Sequence, residues 1–128
     1  STPLPVFLRS EKSTKILEMK VNVQVDMDYS VLSFDGKLMS DADLADAQII
    51  LNNLTNWNVV LDLAKLSYVN SSGIAFFVKV LTRARLNQGD VVVLNVNEQL
   101  TKIFELTKIN QVFHMANTKM EVKAYFKK

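Results

Sequence analysis

The residues best suited to chemistry in this chain are two serines, Ser71 and Ser72, set between Asn70 and Gly73. A serine hydroxyl acts as a nucleophile when a base takes its proton, as a phosphoryl acceptor, or as a helix cap. The nucleophile reading calls for the sharp turn Gly-x-Ser-x-Gly. Here the pattern is Val69-x-Ser71-x-Gly73, and the first glycine is missing. It also calls for a histidine within hydrogen-bond reach, backed by a carboxylate. The one histidine, His114, falls at the last predicted strand, two strands away from Ser71 in a sheet of the expected order. Hydrolysis, and enzymatic activity in general, is therefore not expected. Asp41, Asp43 and Asp46 cluster nearby in sequence, but a metal needs oxygens converging from several directions. The first turn of a helix, where the macrodipole favours negative charge, accounts for them better. Cysteine is absent, which excludes a thiol nucleophile, a disulfide framework and a Cys-ligated zinc site. No Walker A or Gly-x-Gly-x-x-Gly sequence occurs, so neither a metal nor a cofactor is expected.

A strand and a helix must position the serines. Val59-Val60-Leu61-Asp62-Leu63 is a continuous apolar run, typical of a strand covered on both faces. Ala64 to Val69 reads as a connection, and a helix is predicted from Ser71 to about Leu86. Asn70-Ser71-Ser72-Gly73 then lies outside the carboxyl end of the strand, where open α/β sheets carry their functional groups. The N–H groups of a first helical turn lack internal partners and favour an anion, so a phosphate on Ser71 would lie against them. Plain capping by Asn70 and Ser71, with Gly73 present for close packing, is the simpler account of the same residues.

The rest of the chain supplies the frame. Met19, Val21, Val23, Val25 and Met27 alternate with polar residues, which predicts a strand with one wet face. Val31-Leu32-Ser33-Phe34 follows closely enough to pair with it as a hairpin, and Asp35-Gly36 is expected to turn the chain. Ser40 caps a first helix carrying Leu44, Ala47, Gln48, Leu51 and Leu54 at helical spacing. After the second helix, Gly89-Asp90 precedes a buried strand at Val91–Leu94. Asn97 caps a third helix with Leu100, Ile103, Phe104 and Thr107 turned inward. Val112–Met115 reads as a short last strand, and Asn117-Thr118 leads a terminal helix holding Val122, Ala124 and Tyr125. The order β-β-α-β-α-β-α-β-α, with right-handed crossovers, predicts an α/β domain built on a mostly parallel sheet.

The 128 residues suit one domain, expected over 16–128, with Ser1 to Lys15 as an N-terminal tail holding both prolines and the apolar patch Val6-Phe7-Leu8. The chain starts without Met, which reads as a trimmed or tagged terminus. The formal charge is only +2 and the basic residues are dispersed, which argues against a nucleic-acid partner. No apolar run approaches the ~20 residues of a membrane span, so no membrane association and a cytoplasmic address are expected.

The segment from Val59 to Phe113 resembles the STAS family of bacterial anti-sigma factor antagonists. The resemblance is carried by Val59-Val60-Leu61-Asp62-Leu63, Asn70-Ser71-Ser72-Gly73-Ile74, Arg83-Ala84-Arg85 with Gly89, Leu94, Leu106-Thr107, Ile109 and Phe113. Asp35-Gly36-Lys37-Leu38 is similar to the Gly-x-Leu after the family's second strand. The resemblance implies a single STAS-like domain, with a mostly parallel curved sheet, an N-terminal antiparallel hairpin strand and about four helices. It also implies a partner-switching protein. The unphosphorylated domain binds an anti-sigma factor that is a serine kinase, the kinase phosphorylates the first serine of the motif and so ends the complex, and a serine phosphatase resets it. Carried onto this chain, the phosphoacceptor is Ser71, with Ser72 as second choice and Asn70 and Gly73 shaping the switch loop. An accessory STAS module, binding a small ligand or a transporter partner without phospho-switching, is the alternative. Two positions depart from the family. Asn70 stands where its aspartate would be, and Lys108 stands where a glycine commonly follows the Leu-Thr pair and must end the third helix in another way.

On a helical wheel Ile74, Phe77, Val78, Leu81 and Ala84 share a face and are expected to be core. Phe76 and Val80 fall on another side with Lys79 and Arg83. Those four are the expected partner contacts, with Phe76 as an aromatic anchor.

Overall fold

The computed structural model describes residues 19–127; the expected tail at 1–15 lies outside them. Five strands form one sheet in the order β1-β2-β3-β4-β5, with β1 (Lys20–Val25), β2 (Ser30–Leu38), β3 (Asn58–Val69), β4 (Asp90–Leu94) and β5 (His114–Ala116). The β1–β2 pair is an antiparallel hairpin, and every later pairing is parallel. The helices are α1 (Ala45–Asn52), entered through a 3-10 turn at Asp41–Leu44, α2 (Ser71–Leu86), α3 (Glu98–Thr107) and α4 (Lys119–Phe126). The α/β architecture with its hairpin strand and four helices agrees with the sequence reading.

The alternation of side chains along β3 and β4 explains their unbroken apolar runs. Val59, Leu61, Val91 and Val93 point into a large core shared with α1, α2 and α3, whereas Val60, Val92 and Leu94 join Tyr29, Ala116 and Val122 in a smaller core under α4. Both faces of the central strands are thus buried, as a parallel sheet requires.

Five local expectations need correction. Asp35-Gly36 does not turn the chain. It is absorbed as an irregularity inside β2, with register shifts against β3 on either side, and Gly36 takes φ 118°, which a glycine adopts at little cost. Residues 64–69 are not a connection but the second half of β3, because the extended β2 pairs with them up to Leu38 and Val69. The first strand's apolar face is not fully covered. Val21 packs on the core, while Val23 and Val25 stay exposed at the sheet edge. Last, Thr107 is exposed and donates to the Ile103 carbonyl at 2.8 Å, and the last strand begins only at His114, after a 3-10 turn at Ile109–Gln111.

Lys108 ends α3 in the left-handed region, at φ 62° and ψ 14°, with its N–H donated to the Glu105 carbonyl. A side chain there costs about 1–2 kcal/mol relative to glycine. Lys108→Gly removes that strain but gives back about 0.4–1 kcal/mol through a freer unfolded chain. The net expectation is a gain of about 0.5–1 kcal/mol, read as a higher urea midpoint at unchanged slope. A lower midpoint would show that the lysine side chain stabilises the turn.

Candidate functional site

The junction between β3 and α2 is built around Asn70, the N-cap of α2, in extended conformation at φ −101° and ψ −173°. Its side-chain oxygen accepts the Gly73 N–H at 3.2 Å, and its carbonyl receives the first helical bond from Ile74 at 3.0 Å. The same side chain also donates through its amide nitrogen to the Met39 carbonyl, and its backbone N–H donates to the Leu38 carbonyl at 3.0 Å. Asn70 thus ties the loop after β2 to the start of α2. That loop is held from its other side as well. The Asp43 carboxylate accepts the N–H groups of Met39 (2.9 Å) and Ser40 (3.1 Å), so Asp43 is occupied as a local cap.

Ser71 is the first residue of α2 and is exposed, while Ser72 is half-buried. Gly73 is buried. A Cβ there would stand 2.3 Å from Cγ2 of Val69 and 3.1 Å from both terminal carbons of Leu38. The glycine is required because the helix enters directly over the β2–β3 pair, which brings Ser71 to the rim of the sheet. Above it the outward face of α2 runs through Ser71, Ala75, Val78 and Thr82 at helical spacing, and Met39, 55% exposed, lies on the loop tied to Asn70.

The expected partner face of α2 is corrected here. Phe76 (4% exposed) and Val80 (0%) are core residues, and Val78, expected inside, is 37% exposed. The Phe76 ring packs on Phe77 in a T-shaped pair at 6.4 Å, and Phe77 meets Phe34 the same way at 5.4 Å. The buried stripe is Gly73, Phe76, Phe77, Val80, Leu81 and Ala84. The wheel centred on Ile74 found Phe77, Leu81 and Ala84 but was rotated too far to include Phe76 and Val80. Gly73 marks where the helix lies against Val69 and Leu38, and a wheel centred on it would have found the whole stripe. Lys79 and Arg83 turn toward α1. Lys79 Nζ donates to Gln48 at 2.9 Å, and an Arg83 guanidinium nitrogen donates to Asn52 at 2.8 Å, with its carbon 5.2 Å from the Trp57 ring centre. They brace one helix against the next.

His114 is stacked on Tyr125, ring centres 4.1 Å apart and 16° from parallel, on a strand two positions from β3. The Tyr125 hydroxyl donates to Asp90. That hydrogen bond, then burial and the charge of Asp90, pushes the phenol above its usual range against the opposing effect of Arg85. This aromatic pair is separate from the serines. Among the described residues no helix is long and apolar enough to cross a membrane.

A sheet with this hairpin, and a serine-bearing helix start at the end of its third strand, mark the chain as one of a particular class of α/β domain. The chain belongs to the STAS domain family, whose model matches residues 18–122. Its curated relatives include BtrV of Bordetella bronchiseptica, named as a candidate anti-sigma factor antagonist, 32% identical over 54% of this chain and 60% of that protein. They also include the anti-sigma-B factor antagonist of Listeria monocytogenes, 27% identical over 48% of this chain and 54% of that protein. The aligned stretch therefore spans 54–60% of the length of these two relatives. Among solved structures, a candidate anti-sigma factor antagonist of Thermotoga maritima superposes with a TM-score of 0.74 at 17% identity, over 84% of this chain and 95% of the other. The Bacillus protein SpoIIAA in its phosphorylated form does so with a TM-score of 0.60 at 14% identity, over 83% and 99%. At these identities the structures speak for the fold.

Proposed function

We propose that this chain is an anti-sigma factor antagonist, a non-catalytic binding protein that works by partner switching. Unphosphorylated, it binds an anti-sigma factor serine kinase; phosphorylation of Ser71 releases it, and a serine phosphatase restores binding. The observation that carries this reading is the exposed Ser71 hydroxyl at the first position of a 16-residue helix. The relatives' names and the existence of a phosphorylated SpoIIAA structure support it. A phosphate at that position adds about −1.5 to −2 of charge beside the positive end of the helix, so the domain tolerates it without refolding. A partner docked over the same end meets a dianion in a closing interface. Ser72, half-buried, is the less accessible acceptor. The partner face we assign is Met39, Ala75 and Val78 around Ser71, replacing the buried Phe76 and Val80, with Lys79 and Arg83 at its flank.

Intact-mass spectrometry after incubation with the anti-sigma factor kinase of the same cells and ATP tests this. One phosphate is expected on the chain and none on Ser71→Ala. Tight kinase binding with no phosphate under any condition would instead make the chain a constitutive binder.

A further inference from the structure

Asn70 carries more bonds than a helix cap needs. A cap requires one acceptor, and aspartate or serine supplies it as well as asparagine does. Here the acceptor half of the amide holds Gly73, and the donor half reaches the Met39 carbonyl, 31 residues earlier in the chain. With the Asp43 carboxylate on the Met39 N–H, both polar groups of that residue's backbone are fixed by side chains from different elements. The neighbouring Leu38 carbonyl is fixed by the Asn70 N–H itself. Aspartate has no proton to donate at neutral pH, and its second oxygen would face the Met39 carbonyl oxygen. Serine caps the helix but is too short to make the second contact.

We infer that Asn70 is a positioning residue, whose side-chain amide joins the loop 38–40 and the Ser71 end of α2 into one preorganised surface. The backbone that carries the exposed Met39 side chain is thereby fixed to the residue before Ser71, which lowers the ordering cost of any contact made through it. The inference deepens the reading of Ser71 as a switch, but the amide clamp stands apart from it.

The test uses the free, unphosphorylated chain and two variants, Asn70→Asp and Asn70→Ser, each compared with the parent by hydrogen exchange and by NMR of methyl-labelled methionine. In both variants the Gly73 amide is expected to keep its protection, because the cap is retained. The residue-70 amide, bonded to Leu38, is expected to lose protection by roughly threefold to tenfold, the equivalent of one net hydrogen bond. The Met39 methyl signal is expected to move. A Met39 signal and residue-70 protection that match the parent in both variants would reduce Asn70 to a cap and overturn the inference. So would a loss of Gly73 protection together with the rest, since that reports cap failure. Because no kinase is involved, failure here leaves the phosphorylation of Ser71 untouched, and an unphosphorylated Ser71 leaves the clamp untouched.

Discussion

Phe76→Ala is expected to destabilise the domain by about 3–5 kcal/mol, the usual cost of emptying a buried phenylalanine site. The ring is 4% exposed, stacks edge-on against Phe77, and belongs to the core that joins α2 to the sheet. The walls of the resulting cavity cannot close easily, because at Gly73 the helix already lies in close contact with Val69 and Leu38 of the strands. For a chain of this size the loss corresponds to a drop of roughly 10–20 °C in the melting temperature. It would remove much of the ~5–15 kcal/mol that such domains possess. Calorimetry of the variant checks this, and partner affinity measured well below the new midpoint should be near that of the parent. A variant that melts like the parent but binds weakly would return Phe76 to the surface role that its sequence position had implied.

The second large effect concerns Ser71. Ser71→Glu should weaken the complex with the anti-sigma factor kinase by at least about a hundredfold, or ~2.7 kcal/mol, while leaving the fold intact. The glutamate carries one charge where a phosphate carries nearly two, so it understates the proposed switch. At the first position of α2 a negative side chain interacts favourably with the helix macrodipole, worth about 0.3–1 kcal/mol, so the melting temperature should hold or rise slightly. Ser71→Ala should bind as the parent does and refuse phosphate. Isothermal titration of all three forms separates charge from side-chain loss. If the glutamate variant binds with parental affinity, the partner docks away from Ser71 and the switch reading fails.

Most of the frame was legible because it rests on periodicity and local chemistry. The runs at Val59–Leu63 and Val91–Leu94 signalled strands buried on both faces, and Asn70, Asn97 and Thr118 stand as helix caps in the structure. Errors arose where one element's fate depended on another's. Asp35-Gly36 looks like a turn in isolation, yet β3 continues beside it and draws it into a strand. The wheel of α2 was read without the sheet that decides its rotation, so Phe76 and Val78 exchanged places.

The switch candidate divides along the same line. The sequence by itself determined that an exposed serine would stand at a helix start behind a buried strand, because capping residues and apolar runs act over a few neighbouring positions. It also determined the family, through the spacing of short motifs. Only the tertiary structure decided what surrounds that serine. Leu38 and Val69 must pair across β2 and β3 before the Met39 carbonyl can meet the Asn70 amide, and Gly73 must lie against both side chains before α2 can start where it does. The contacts made with Leu38 and Met39 join residues more than thirty positions apart, and no local preference encodes them. Asn70 therefore reads as a cap in the sequence and as a bridge between two elements in the fold.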